Sequence, residues 1–304
     1  MFSRLNKNDS PYTVADFLEY ECLITKSSIS SLSYRSLLSI SDDELNNDGI
    51  ESSDDFSVDK LDSAIAECYH RSQNCPNQYP FITGRSSLEL KANSTWHKDV
   101  YAFLLFATRL NMREQRVQAG YDGTQLFEEL CALVAKEYFG VHSIAKVFGT
   151  SAGGSFNDKV EQLLHSLHIK GQYKEPEGST GKQKDGNLDI VAWIPFADDK
   201  DGQMIAMGQC KTGTHWEEML NELDPYDFFS CYSTQQPYAK PQKMFFVAES
   251  FGSYKWQERC TSGGILFDRT RIMEYLPNEI DRALLEKIKT WNCAAMVAEQ
   301  NMEE

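Results

Sequence analysis

A chain of 304 residues with 41% hydrophobic content can bury one sizeable core or two smaller ones. Its formal net charge of −15 argues against a surface built for general nucleic-acid binding, where Lys and Arg neutralise phosphates. The apolar stretch over residues 97–110 is too short to span a bilayer, and residues 1–11 lack the apolar centre of a secretory signal, so a cytoplasmic protein with no membrane partner is expected.

Taken in chain order, residues 12–24 and 96–110 carry apolar positions at helical spacing. They define a mainly helical region over residues 1–118, suited to regulation or to docking a partner. Between them, residues 41–62 hold nine acidic residues against the single Lys60, in a Ser/Asn/Asp-rich run that reads as a loop or disordered segment. Such a run is ordinarily a solvated surface. The sharper alternative is an electrostatic gate, with Asp42, Asp43, Glu44, Asp54 and Asp55 repelling a polyanion.

From residue 119 to 304 the pattern changes to mixed helices and strands. Residues 122–140 read as a helix with Phe127, Leu130, Val134 and Tyr138 on its apolar stripe, Asp122 and Gln125 resembling a capping box, and Gly140 as its stop. Glu128 shares a face with Cys131, Ala132 and Ala135, small residues that permit close approach to a sheet; Glu129 shares its face with Lys136. An acid near a helix start also simply complements the dipole, so whether Glu128 or Glu129 has a role is left open. The Gly-rich run 149–156 could present amides to a phosphate, but it lacks the Gly-Lys-Ser/Thr ending of a P-loop and is better read as a connector. His165 and His168 lie on an expected helix over 158–169 with no third ligand nearby in sequence. Lys170, Lys174, Lys182 and Lys184 precede the next strand; Lys240, Lys243, Lys255 and Arg259 follow later.

Gly186-Asn187-Leu188-Asp189 opens an apolar, β-branched strand, and a second such strand ends in Gln209-Cys210-Lys211. Side chains alternate along a strand, so Gln209 and Lys211 point one way and Cys210 the other. A carboxylate, an amide oxygen and an ammonium can converge there, which suits a hard divalent cation beside an activated water or a phosphate. Each residue alone is ordinary on a strand end. A Lys at the end of the buried run Ile205-Ala206-Met207 is unexpected unless something holds it. Residues 212–219 turn the chain into the next helix, with His215 at its start. Residues 244–248 suit a buried central strand, and residues 265–268 one more. The eight cysteines form no Cys-x-x-Cys pair, which argues against structural zinc and for reduced thiols.

These motifs resemble the PD-(D/E)XK nuclease superfamily, in the Mrr-like restriction endonuclease variant that carries Gln-x-Lys. The elements that carry the likeness are Phe127-Glu128 on the preceding helix, Gly186 to Asp189, and Gln209 to Lys211, over roughly residues 120–250. Leu188 stands where the family name puts Pro, and Asn187 replaces a second Gly. The resemblance implies a restriction-endonuclease-like mixed sheet flanked by helices. It also implies Mg²⁺, replaceable by Mn²⁺, held by Asp189, the Gln209 oxygen, the Cys210 carbonyl and Glu128, the last directly or through water. Lys211 would orient the attacking water and stabilise the charge of the phosphorane. The expected activity is DNA endonuclease, in a restriction or antiviral defence system, with a helicase or ATPase as protein partner and self-association left open. A nuclease fold that has lost its chemistry and serves as an acidic adaptor, and a repair or junction-resolving nuclease, are the alternatives.

Overall fold

The computed structural model describes residues 9–26, 28–30, 53–93, 95–149, 154–176, 186–198 and 200–300. Helix α1 (Pro11–Thr25) starts where the Ser10 side chain accepts from the Thr13 amide, with Pro at a position whose missing N–H leaves no bond unmade. Helix α2 (Ser53–Asn74) follows. Its Leu61, Ala64, Ile65 and Cys68 recur at helical spacing and are buried, and α2 packs on α1. The loop expected over residues 41–62 is therefore corrected for 53–62, whose backbone is helical: this apolar stripe needs a helix to face α1. Residues 41–52, with Asp42, Asp43 and Glu44, lie outside the described residues. Strands β1 (Ile29–Ser30), β2 (Phe81–Thr83) and β3 (Ser87–Leu90) form a small antiparallel sheet in the order β1-β3-β2. Helix α3 (His97–Arg109) is buried from Val100 to Thr108, as an apolar run of that length requires.

A two-stranded hairpin, β4 (Val117–Gln118) and β5 (Tyr121–Asp122), leads into helix α4 (Gly123–Phe139). Asp122 caps α4 by accepting from the Thr124 amide at 2.9 Å, a bond made with Thr124 in place of the expected box with Gln125. Gly140 ends it at φ 89°, a left-handed conformation that favours glycine.

The main sheet has strands β6 (Ile144–Val147), β7 (Ile190–Ile194), β8 (Met204–Lys211), β9 (Gln242–Val247) and β10 (Ile265–Phe267), in the order β10-β9-β8-β7-β6. It is mixed: β6, β7 and β8 run antiparallel, and β8, β9 and β10 run parallel. Alternation along the strands divides two cores. Ile190, Ala192, Ala206, Met244 and Phe246 face the layer of α4, α3 and helix α9 (Arg282–Gln300). Val191, Trp193, Ile205 and Met207 face helices α5 (Phe156–Ser166) and α6 (Pro225–Tyr232). A 3₁₀ turn (Trp216–Met219), helix α7 (Trp256–Gly263) and helix α8 (Arg269–Glu274) complete the chain. The fold is thus a mixed α/β arrangement with helices on both faces of one sheet.

The core facing α4 includes Leu18 and Phe81 as well as Phe127 and Phe246, so one continuous core contains residues from both sides of position 118. A buried charge cluster spans the same junction. Asp16 and Glu19 of α1, Arg71 of α2 and Arg269 of α8 all have fully buried side chains. Arg71 Nη1 reaches Asp16 Oδ1 at 2.7 Å and Glu19 Oε2 at 2.8 Å, and Arg269 Nη1 reaches Asp16 Oδ1 at 2.8 Å. Tyr79 and Tyr101 donate their hydroxyls to Glu19 Oε1. Burial alone would raise the Asp16 carboxyl, but the guanidiniums of Arg109, Arg269 and Arg71 outweigh it and hold it well below the usual carboxylate range. For Glu19 burial prevails, and its carboxyl is raised.

Candidate active site

Strands β7 and β8 pair Ile190 with Gly208. At the next residue the regular pairing ends, and Asp189 lies beside the Gly208 to Cys210 stretch of β8. The Asp189 amide donates to the Gly208 carbonyl at 3.0 Å, and its Oδ2 accepts from the Cys210 amide at 2.7 Å. Asp189 is thereby fixed at the open end of the hairpin, away from the turn between β7 and β8. The chain reaches that position through two left-handed residues, Gly186 and Asn187, both at φ 60°. A Cβ on Gly186 would stand 2.9 Å from the Phe228 ring of α6, so the turn needs glycine for space as well as for conformation. Leu188, where the family name puts Pro, is fully buried in the core facing α5 and α6.

Gln209 is fully buried, and its Oε1 has no hydrogen-bond partner among the described residues. Its Nε2 donates to Glu222 Oε2 at 3.3 Å. The same carboxylate oxygen receives Lys211 Nζ at 3.0 Å, with the Lys211 side chain 22% and the Glu222 side chain 39% exposed. Glu222 therefore answers what keeps a Lys at the end of a buried strand. Gln209 and Lys211 share the face of Ile205 and Met207, as alternation predicts. Cys210 is half-buried and turned toward Cys131 of α4, and burial followed by that contact holds its thiol well above the usual range. Burial likewise raises the Cys131 thiol. Neither thiol is a ready anionic ligand.

Glu128 arrives from the opposite layer. Its Oε2 lies where a Cβ on Gly149 would stand only 2.9 Å away, so its carboxylate rests against the Gly149 backbone. The Gly149 amide in turn donates to the Asp189 carbonyl at 3.1 Å. Glu128, Asp189, and Gln209 with Lys211 thus come from three sequence segments to one end of the sheet. Glu129 points elsewhere: its carboxylate meets Lys287 of α9 at 3.4 Å, a partner other than the expected Lys136.

Among the described residues, no three His, Cys, Asp or Glu side chains converge to hold a metal ion. The oxygen donors at the sheet end are of another composition: two carboxylates, from Asp189 and Glu128, and an amide. The buried Gln209 Oε1, without a partner among the described residues, fits a cation there, since most buried carbonyl oxygens are hydrogen-bonded; Gln236 Oε1 and Asn292 Oδ1 are likewise unpartnered among these residues, but neither stands beside a carboxylate pair of this kind.

Other expected residues lie apart. His168, at φ 54°, is beyond the end of α5 and so shares no helix face with His165. His215 is exposed beside the 3₁₀ turn. Lys243 donates to the Leu220 carbonyl, and Arg259 pairs with Glu217 and lies 4.6 Å over the Phe251 ring. Both are engaged within the protein. Lys170, Lys174, Lys240 and Lys255 are exposed; Lys182 and Lys184 lie outside the described residues. Residues 150–153 of the Gly-rich run lie outside them too, and the start of α5 is already capped by Ser155 and carries Asp158, an unfavourable end for an anion. Two site neighbours carry no sequence motif: Glu222, and Lys159, whose Nζ donates to the Gly149 carbonyl at 2.6 Å.

Comparison with known proteins returns no match: no family model, no curated protein and no solved structure. No helix among the described residues is long and apolar enough to cross a membrane.

Proposed function

We propose that the chain is a Mg²⁺-dependent DNA endonuclease with a restriction-endonuclease-like sheet, a cytoplasmic enzyme of a defence system that hydrolyses phosphodiester bonds. The observation that carries this reading is the buried Gln209 Oε1, without a partner among the described residues, next along β8 to the Cys210 amide from which Asp189 Oδ2 accepts, with Lys211 two residues on. Asp189, Gln209 Oε1 and Glu128 would hold the cation, with Mn²⁺ able to replace Mg²⁺. A bound divalent cation polarises the phosphate and makes its bound water more acidic. Lys211 orients the attacking water and stabilises charge gathering on the phosphate oxygens. Lys159, held beside Gly149, adds positive charge next to the site in a chain whose net charge is −15.

Purified protein incubated with supercoiled plasmid and Mg²⁺ is expected to nick it, with activity lost on chelation. Absence of cleavage at every divalent cation tested, with DNA or protein binding retained, would favour the adaptor reading, which the Lys211–Glu222 ion pair also suits.

A further inference from the structure

The two ends of the Gln209 amide differ in what they can do, and Glu222 chooses between them. A carboxylate accepts hydrogen bonds and cannot donate them, so the end facing Glu222 Oε2 at 3.3 Å must be Nε2. Oε1 then has to turn away, and there it is buried without a partner among the described residues. A hydroxyl or an amide, which both donates and accepts, would leave both orientations open; a carboxylate leaves one.

Glu222 is itself held in place. It sits between the buried Leu220 and Leu223. Its amide donates to the Met219 carbonyl at 3.1 Å, and its own carbonyl accepts from Asn187 Nδ2 at 3.4 Å, which joins it to the turn that delivers Asp189. Its Oε2 also holds Lys211 Nζ at 3.0 Å. One carboxylate therefore orients both functional side chains of β8.

We infer that Glu222 is a positioning residue of this site: it sets the Gln209 amide so that Oε1 is presented to a divalent cation, and it places beside Lys211 the negative charge that an amide at position 209 lacks. This rests on the reading of the site as a cation centre.

Two measurements test it, one without metal. In metal-free protein, the Gln209 side-chain amide resonances, assigned by their loss in Gln209→Leu, are expected to shift in Glu222→Gln as the charged acceptor is removed. Mn²⁺ affinity by electron paramagnetic resonance is expected to fall about tenfold in Glu222→Gln, the scale of losing a residue that orients a ligand. Glu222→Asp, which keeps the charge at shorter reach, should fall between. Wild-type affinity in Glu222→Gln, with affinity lost in Asp189→Ala, overturns the role of Glu222 and leaves the cation site standing. A rise in affinity makes Glu222 a competitor for Lys211 and overturns the role as well. Equal Mn²⁺ binding by wild type and Asp189→Ala overturns the site and the inference together.

Discussion

Replacing Gln209 by Glu sets a second carboxylate at the position from which Nε2 now reaches Glu222 Oε2 at 3.3 Å. Two such charges repel by about 1–4 kcal/mol at effective dielectrics between water and a protein surface, a cost that Lys211 only partly offsets. Gln209→Glu is therefore expected to melt lower than wild type without metal and to gain more from Mg²⁺, because the cation relieves the repulsion. Paired thermal melts with and without Mg²⁺ check this; equal Mg²⁺ stabilisation of both proteins counts against Gln209 as a ligand. That Gln209 and Lys211 share one face of β8 was legible in the sequence, because strand alternation is local geometry; the choice of Glu128 over Glu129 stays open there. Glu222 was not legible. It lies 11 residues beyond Lys211 in a segment without motif, and only the return of that segment across the end of β8 brings it to the site.

At the scale of elements, the Gly186-Asn187 turn governs how β7 enters the sheet. Gly186→Ala must place a Cβ in a left-handed conformation and within 2.9 Å of the Phe228 ring. Strain of this kind costs about 1–2 kcal/mol and crowding about 1–3 kcal/mol, so destabilisation of at least about 2 kcal/mol is expected in urea unfolding. A wild-type midpoint would show that the turn relaxes freely. Helices α1, α3 and α4 and strands β8 and β9 follow from apolar periodicity, with ends within a few residues of expectation. Helix α2 was hidden because its first residues belong to the acidic run, whose composition outweighs the stripe from Leu61 to Cys68 in a reading by charge. The buried cluster left a signal that could have been used: Asp16 and Glu19 stand three apart within the apolar stripe of α1, where acids do not belong unless paired.

At the scale of the molecule, that cluster joins α1, α2 and α8 across the chain. Removing one partner of a buried ion network leaves charge uncompensated, so Arg269→Met is expected to cost about 3–5 kcal/mol. Because the folded Asp16 carboxyl is held below its ordinary value of 3.8, its contribution is complete above that value and is lost as pH falls below it. Asp16→Asn should consequently be less stable than wild type at pH 6, and the gap in melting temperature should narrow toward pH 3. Glu19, whose carboxyl is raised by burial and in part by the Asp16 charge, acts in the opposite sense, and Asp16→Asn removes that part of its shift. A gap that is constant with pH would contradict the ion-pair account of the junction.

Asp189, Gln209 and Lys211 are proposed to form one hydrolytic site, and the decisive experiment is supercoiled plasmid cleavage in Mg²⁺ by wild type, Asp189→Ala and Lys211→Ala. Lys211 is partly exposed and Asp189 lies at a strand end, so both variants should keep the wild-type circular dichroism spectrum. Wild type is expected to nick in an Mg²⁺-dependent manner and each variant at least about a hundredfold more slowly, on the order of what removing one transition-state stabilising group costs. Full metal-dependent activity in either folded variant, or none in the wild type, would contradict a single hydrolytic site.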